Sequence, residues 1–314
     1  MTTKLASDIL QLGDAVEHRG VVIAPLFPRR QPVAEYLTLE EALPLGFRVE
    51  EVDGAGSVPE LAVHNPLEAN VLLYDSEELL GAKQNRILNV TVVVGAQSKN
   101  VIPVSCVEEG RWSARTAFFS SARHAAYPEL RRRKAEQLSA EPFQRGAAQS
   151  VVWDEVRGKS ERHQVSSPTG AQSDIFESRE NDLEALRERF ALEPGQSGAV
   201  FAVGDRICLD YVSQPHAFAH LYSKLLNGYL LDAIEWLDHN PVGFESVAAF
   251  YLATESAMRS RRPSAALGED VRFRGQGVVG SGLELDGEVV QRCAFSSEGA
   301  GASTAIARPS RRVG

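Results

Sequence analysis

The residues in this chain whose types and spacing suit chemistry lie between Lys83 and Trp112. The run Gly81-Ala-Lys-Gln-Asn-Arg-Ile-Leu-Asn89 combines two cations with three side-chain amides. In an extended chain, side chains alternate between two faces. Arg86, Leu88, Val90, Val92 and Val94 then share one face, apolar with Arg86 at its end. Lys83, Asn85, Ile87, Asn89 and Thr91 share the other. Lysine supplies a point charge and asparagine both a donor and an acceptor, so the second face suits an anionic or hydrogen-bonding ligand. The plainer reading is a solvated sheet face, with Arg86 paired to a neighbouring carboxylate.

The next segment, Ile102-Pro-Val-Ser-Cys-Val-Glu-Glu-Gly-Arg-Trp112, repeats the alternation. Cys106 falls with Ile102 and Val104, which makes it a small core hydrophobe. A nucleophilic thiol needs an accessible, electropositive setting; Lys83 or Arg86 would supply one only if the two strands are neighbours. Glu108 and Arg111 read as an ion pair closing the strand end. Alternatively, they hold a ligand beside Trp112, whose indole suits stacking on an adenine-like ring.

Other groups are weaker. Of the seven histidines, only His216 and His220 have helical i, i+4 spacing. No glutamate lies between them, and zinc sites need that residue and a third ligand. A capping or surface role is expected, and no metal. Arg131-Arg-Arg-Lys134 reads as a solvated helix face with Glu129 and Glu136 as partners. Asp210, Asp232 and Glu235 are not paired by spacing for acid/base work. Phosphate-loop and nucleophile-elbow patterns are absent. Gly275-Gln-Gly-Val-Val-Gly280 matches a dinucleotide fingerprint in letters but lies between strand-like runs without a βαβ setting.

The elements that must position these residues follow from composition and pattern. The chain has 314 residues, 43% hydrophobic, enough to bury a core without disulfides or metals. Its net charge of −9 argues against broad nucleic-acid or membrane-surface binding. Three widely spaced cysteines read as reduced thiols, hence a cytoplasmic protein. The first twenty residues carry no apolar leader pattern, and no apolar run is long enough to span a bilayer.

Strands are expected at 20–27, 47–52, 61–63, 71–74 and 79–80, with 86–94 and 101–108 joined by the 95–100 connection. Thr38, with Glu41 three residues on, is a capping box for a short helix at 36–43. Helices are expected at 128–138, 147–156, 174–190, 218–237 and 244–258, with a mobile polar loop at 159–173. Gly204-Asp205 and Asp286-Gly287 mark two-residue hairpin turns. The pattern predicts an α+β fold: a mixed, mostly antiparallel sheet system with packed helices. One domain at 1–296 is expected, β-dense over 13–115 and helix-rich with two hairpins over 116–296. A disordered tail follows at 297–314.

The runs GAKQNRILNVTVVV and IPVSCVEEGRW, with the weaker SGAVFAVGDRICLDYV and KLLNGYLLDA, give the chain a family likeness. Over about residues 10–296 it resembles the ADP-ribosylglycohydrolase (ARG) and rhodanese-phosphatase-superfamily-associated protein family. The resemblance implies a role around ADP-ribose or NAD derivatives, or around phosphate esters, and supplies neither a catalytic set nor a cofactor. The resulting expectation is a site for an ADP-ribose-like, nucleotide-derived or other phosphorylated small molecule on the 83–112 strand pair. Lys83 and Arg86 would meet phosphates, Asn85 and Asn89 ribose hydroxyls, and Trp112 the base, with Glu108 and Arg111 beside it. A protein-interaction or scaffold component without chemistry is the alternative, with its apolar patch on the 218–236 or 244–252 helices. A Cys106-dependent enzyme is a third.

Overall fold

A computed structural model of the chain describes residues 9–52, 57–140, 149–240 and 242–297. It opens with strands β1 (Leu10–Leu12), β2 (Val16–His18), β3 (Val21–Pro28) and β4 (Leu37–Thr38). After helix α1 (Leu39–Ala42) come β5 (Arg48–Glu51), β6 (Glu60–Asn65), β7 (Val71–Leu73) and β8 (Glu77–Gly81). The strands β9 (Arg86–Leu88), β10 (Val92–Val94), β11 (Ser98–Cys106) and β12 (Phe119–Ala125) follow. Helices α2 (Pro128–Ala140), α3 (Gln149–His163), α4 (Gln172–Ser178) and α5 (Glu180–Arg187) lead to β13 (Gly198–Val203) and β14 (Arg206–Val212). Then come α6 (Pro215–Ile234), α7 (Phe244–Ser256), β15 (Met258–Pro263), β16 (Glu269–Gly275), β17 (Val278–Leu285) and β18 (Glu288–Ser296).

These form three sheets. Nine strands lie in the order β1-β3-β13-β14-β18-β17-β16-β15, with β2 also paired to β3. A six-stranded sheet runs β12-β8-β9-β11-β6-β5, and a three-stranded one β10-β7-β4. Only the β4–β7 pair is parallel among the described residues, so the fold is α+β with mostly antiparallel sheets.

Local chemistry explains much of this. Thr38 caps α1 through the reciprocal box with Glu41. Pro215 sits in the first turn of α6, where its missing N–H is harmless. Both two-residue turns close their hairpins, with Val203 opposite Arg206 and Leu285 opposite Glu288. The α6 aromatic face packs inward, with Tyr229 stacked on Phe201 at 3.8 Å. Such a pair contributes about 0.5–1.5 kcal/mol beyond its buried area.

Several expectations change. The extended run 86–94 is two strands in different sheets: β9 pairs with β11, while β10 pairs with β7. The apolar face is as read, for Leu88, Val90, Val92 and Val94 share one core between the two smaller sheets. The other face is not solvated. Ile87 enters the large helical core, and Asn85, Asn89 and Thr91 are buried. The 159–173 segment is not all loop: α3 continues to His163 because Lys159 and His163 are buried, and Lys159 ion-pairs with Asp232 and Glu235. The 174–190 helix breaks at Arg179 into α4 and α5. Met258 begins β15 instead of ending α7. The chain beyond residue 297, residues 1–8 and the start of the 147–156 helix lie outside the described residues.

The basic run on α2 is also placed differently. Arg131, Arg132 and Lys134 are buried, because α2 crosses between sheets. The fork of Arg131 meets Asp210 at 2.7 and 2.8 Å, and Tyr74 and Tyr229 donate to the same carboxylate. Lys134 pairs with Asp75. Arg132 keeps the expected partners Glu129 and Glu136. No described helix is long and apolar enough to cross a membrane.

Candidate functional site

The turn from β8 into β9 positions the site. Gly81 has φ of +119°, and a Cβ there would lie 2.3 Å from Thr116 Oγ1, so glycine is required. The turn is stapled from below by Arg111. Its guanidinium donates to both Glu108 oxygens at 2.8 and 2.6 Å, to the carbonyls of Ala82, Ser113 and Gly81, and to Asn85 Oδ1. Glu108 also accepts from the Asn85 N–H at 3.0 Å and Thr169 Oγ1 at 2.8 Å. Burial pushes the Glu108 carboxyl up, but Arg111 and these donors outweigh it and hold it below its usual range. Glu108 and Arg111 therefore form the buried pair that closes the strand end. Asn85 completes it, with its amide between Glu78 and Ser173.

Lys83, Arg86 and Trp112 come together beside this turn. Lys83 Nζ lies 5.4 Å and Arg86 Cζ 5.6 Å from the centre of the Trp112 ring, both at cation–π range. Trp112 is 48% exposed, whereas Arg86 is fully buried. Arg86 stands opposite Cys106 in the β9–β11 register. Its Nη1 donates to Gln84 Oε1 at 3.0 Å, an oxygen that also accepts from the Cys106 thiol. Its Nε and Nη2 have no hydrogen-bond partner among the described residues. The nearest anion is Glu51, 4.0 Å from Nη2. Burial lowers the Arg86 pKa from its usual value.

Asn89 lies elsewhere, accepting from Ser105 Oγ at 2.8 Å. The structure thus groups six of the seven sequence candidates into two clusters. Asn85, Glu108 and Arg111 build the turn; Lys83, Arg86 and Trp112 line its outer corner. Cys106 belongs to the core, its thiol pushed up to about 11 by burial. Cys208 and Cys293 are likewise free and buried. His216 and His220 hold no cluster, and no group of metal-binding side chains occurs among the described residues.

Sequence reading missed Glu51 and Gln84. Gln84 lay in plain view within the polar run, two residues from Arg86 and so on its face. Glu51 carried no local signal, because it arrives from β5 across two intervening strands. Arg115 approaches Glu108 at 3.8 Å.

A groove of about 690 Å³ lies elsewhere, between the 28–35 loop and the β17–β18 turn. Glu35, Asp286 and Glu288 outnumber Arg30 there, and Glu288 already accepts the Val33 and Ala34 N–H groups. Its size suits a ligand, but its charge is wrong for a phosphate. The buried, under-bonded Arg86 is the better guide to an anion site.

The model of the ARG and Rhodanese-Phosphatase-superfamily-associated Protein domain matches residues 9–295, and the chain belongs to that family. No curated protein and no solved structure matches it.

Proposed function

We propose that this member of the ARG and rhodanese-phosphatase-associated family binds a phosphorylated metabolite of the ADP-ribose or NAD class at the Arg86–Trp112 corner. One observation carries the reading: a fully buried guanidinium with two N–H-bearing nitrogens, Nε and Nη2, that lack a hydrogen-bond partner among the described residues. Buried donors are normally satisfied, and an exception asks for a partner. A guanidinium fork matches phosphate oxygens in geometry and charge. In this reading Arg86 takes the phosphate, Lys83 adds positive field, and the half-exposed Trp112 ring stacks a base. Asn85, Glu108 and Arg111 hold the turn in place. The family's association with ADP-ribosylglycohydrolases supports the ligand class by context, which is weaker support than a residue.

Thermal shift and calorimetry with ADP-ribose, NAD and pyrophosphate test it. A ligand at 100 times its Kd stabilises the fold by about 2.7 kcal/mol. No heat and no stabilisation across the panel would remove the proposal.

A second reading, a protein-binding component without chemistry, has one observation in its favour. Leu252 on α7 and Met258 at the start of β15 are exposed, 46% and 80%. The α6 face expected to carry such a patch is instead buried in the core. A stable stoichiometric partner together with silence in the nucleotide panel favours this reading.

A further inference from the structure

Glu51 is the other unsettled group in the corner. It ends β5, and its side chain is 11% exposed. Its Oε1 accepts from the Lys83 N–H at 3.3 Å and faces Arg86 at 4.0 Å. Its Oε2 is buried and has no hydrogen-bond partner among the described residues. Arg86 therefore presents unused donors, and Glu51 an unused Oε2 on a carboxylate whose other oxygen lies 4.0 Å from Arg86 Nη2.

A bare phosphate answers only half of this arrangement. It satisfies Arg86, but it brings acceptor oxygens and negative charge against a carboxylate that can only accept. The same is true of pyrophosphate. An amine would satisfy Glu51 but meets the positive field of Arg86 and Lys83. A metal ion meets the same field. What fits both groups is a molecule carrying phosphate oxygens a few ångströms from hydroxyl donors. A vicinal diol next to a phosphate ester is that chemistry, and an acidic side chain is a recurrent acceptor for ribose hydroxyls.

We infer that Glu51 accepts hydroxyls of a ribose whose phosphate sits on Arg86, so that the site selects ribosyl phosphates over simple phosphates and deoxyribosyl phosphates. This rests on the reading of Arg86 as the phosphate group's partner. It differs from the sequence expectation, which gave the ribose to Asn85 and Asn89. Both amides are buried: Asn85 is bonded to Glu78, Ser173, Gly81 and Arg111, and the Asn89 Oδ1 accepts from Ser105 on β11 while its Nδ2 has no hydrogen-bond partner among the described residues.

The test is calorimetric titration with ribose 5-phosphate, 2-deoxyribose 5-phosphate and pyrophosphate. Removing the 2-hydroxyl breaks either vicinal pair that includes it. Hydrogen bonds to a charged acceptor predict about tenfold or greater discrimination in favour of ribose in the wild-type protein. In Glu51→Gln the ratio falls toward one, while pyrophosphate binds as well or more tightly because a negative charge has gone. The wild-type comparison stands even where the variant folds poorly. Equal affinity for the two sugar phosphates, or discrimination retained in Glu51→Gln, with pyrophosphate still bound through Arg86, overturns the role of Glu51 and leaves the phosphate site intact. Failure of every anion to bind overturns both.

Discussion

Replacing Arg86 with methionine separates a functional charge from a structural one. Two of its three guanidinium nitrogens make no hydrogen bond among the described residues. An unmade bond at a buried polar group costs about 1–3 kcal/mol, so the pair costs roughly 2–6 kcal/mol. Against this stands Glu51 at 4.0 Å. At an effective dielectric of about 20, that attraction is worth about 4 kcal/mol. The two effects nearly cancel. Methionine fills the volume of the arginine stem without a charge, and the Glu51 it leaves unpaired keeps 11% of its side chain in contact with solvent, so the cost stays below the roughly 3–5 kcal/mol of breaking a fully buried pair. Gln84 keeps the Cys106 thiol as donor, and Glu51 keeps the Lys83 N–H. Arg86→Met therefore leaves the urea midpoint, followed by circular dichroism, unchanged or raised, while anion binding is lost. A loss of more than about 3 kcal/mol, the range for breaking a buried pair that the fold depends on, would refute the reasoning and make Arg86 a structural residue.

Asp210 gives the opposite expectation. Asp210→Asn leaves the buried Arg131 without its counter-charge and destabilises by about 3–5 kcal/mol, read as a large fall in the same urea midpoint. Cys106, with its thiol raised to about 11, is about one part in a thousand thiolate at pH 8. Native protein should resist iodoacetamide at Cys106 by mass spectrometry and react once unfolded; rapid native labelling would contradict its core assignment. Burial raises the Glu129 carboxyl, but Arg206 and Arg132 outweigh it and lower its pKa to about 2. A depressed carboxylate stabilises above its unfolded pKa near 4.5 and loses that contribution as pH falls toward 2. Stability should therefore decline by about 3 kcal/mol across that window, and Glu129→Gln should flatten the acid limb; an unchanged limb would count against the assignment.

Local signals in the sequence were legible where neighbours within a few residues decide the outcome. The Thr38–Glu41 box, the Gly204-Asp205 and Asp286-Gly287 turns and the apolar alternation through Leu88–Val94 all depend on short range. The site was legible in part for the same reason. Lys83, Arg86 and Trp112 stand close together because a tight turn and one strand pair place them. The rest came from far along the chain. The face carrying Asn85 is covered by Ser173 of α4, 88 residues away, and Asp210 reaches Arg131 across 79 residues. Alternation assigns residues to faces but does not say what covers each face. The basic run of α2 looked solvated because its buried partners lie on other elements.

Titrating ADP-ribose into wild-type protein and Arg86→Met, with heat and tryptophan fluorescence recorded together, tests the phosphate site most directly. The wild type should give saturable one-to-one heat and a change in Trp112 emission, and the variant neither, at an unchanged or higher thermal midpoint. Equal heat from both proteins, or none from the wild type, would contradict the account.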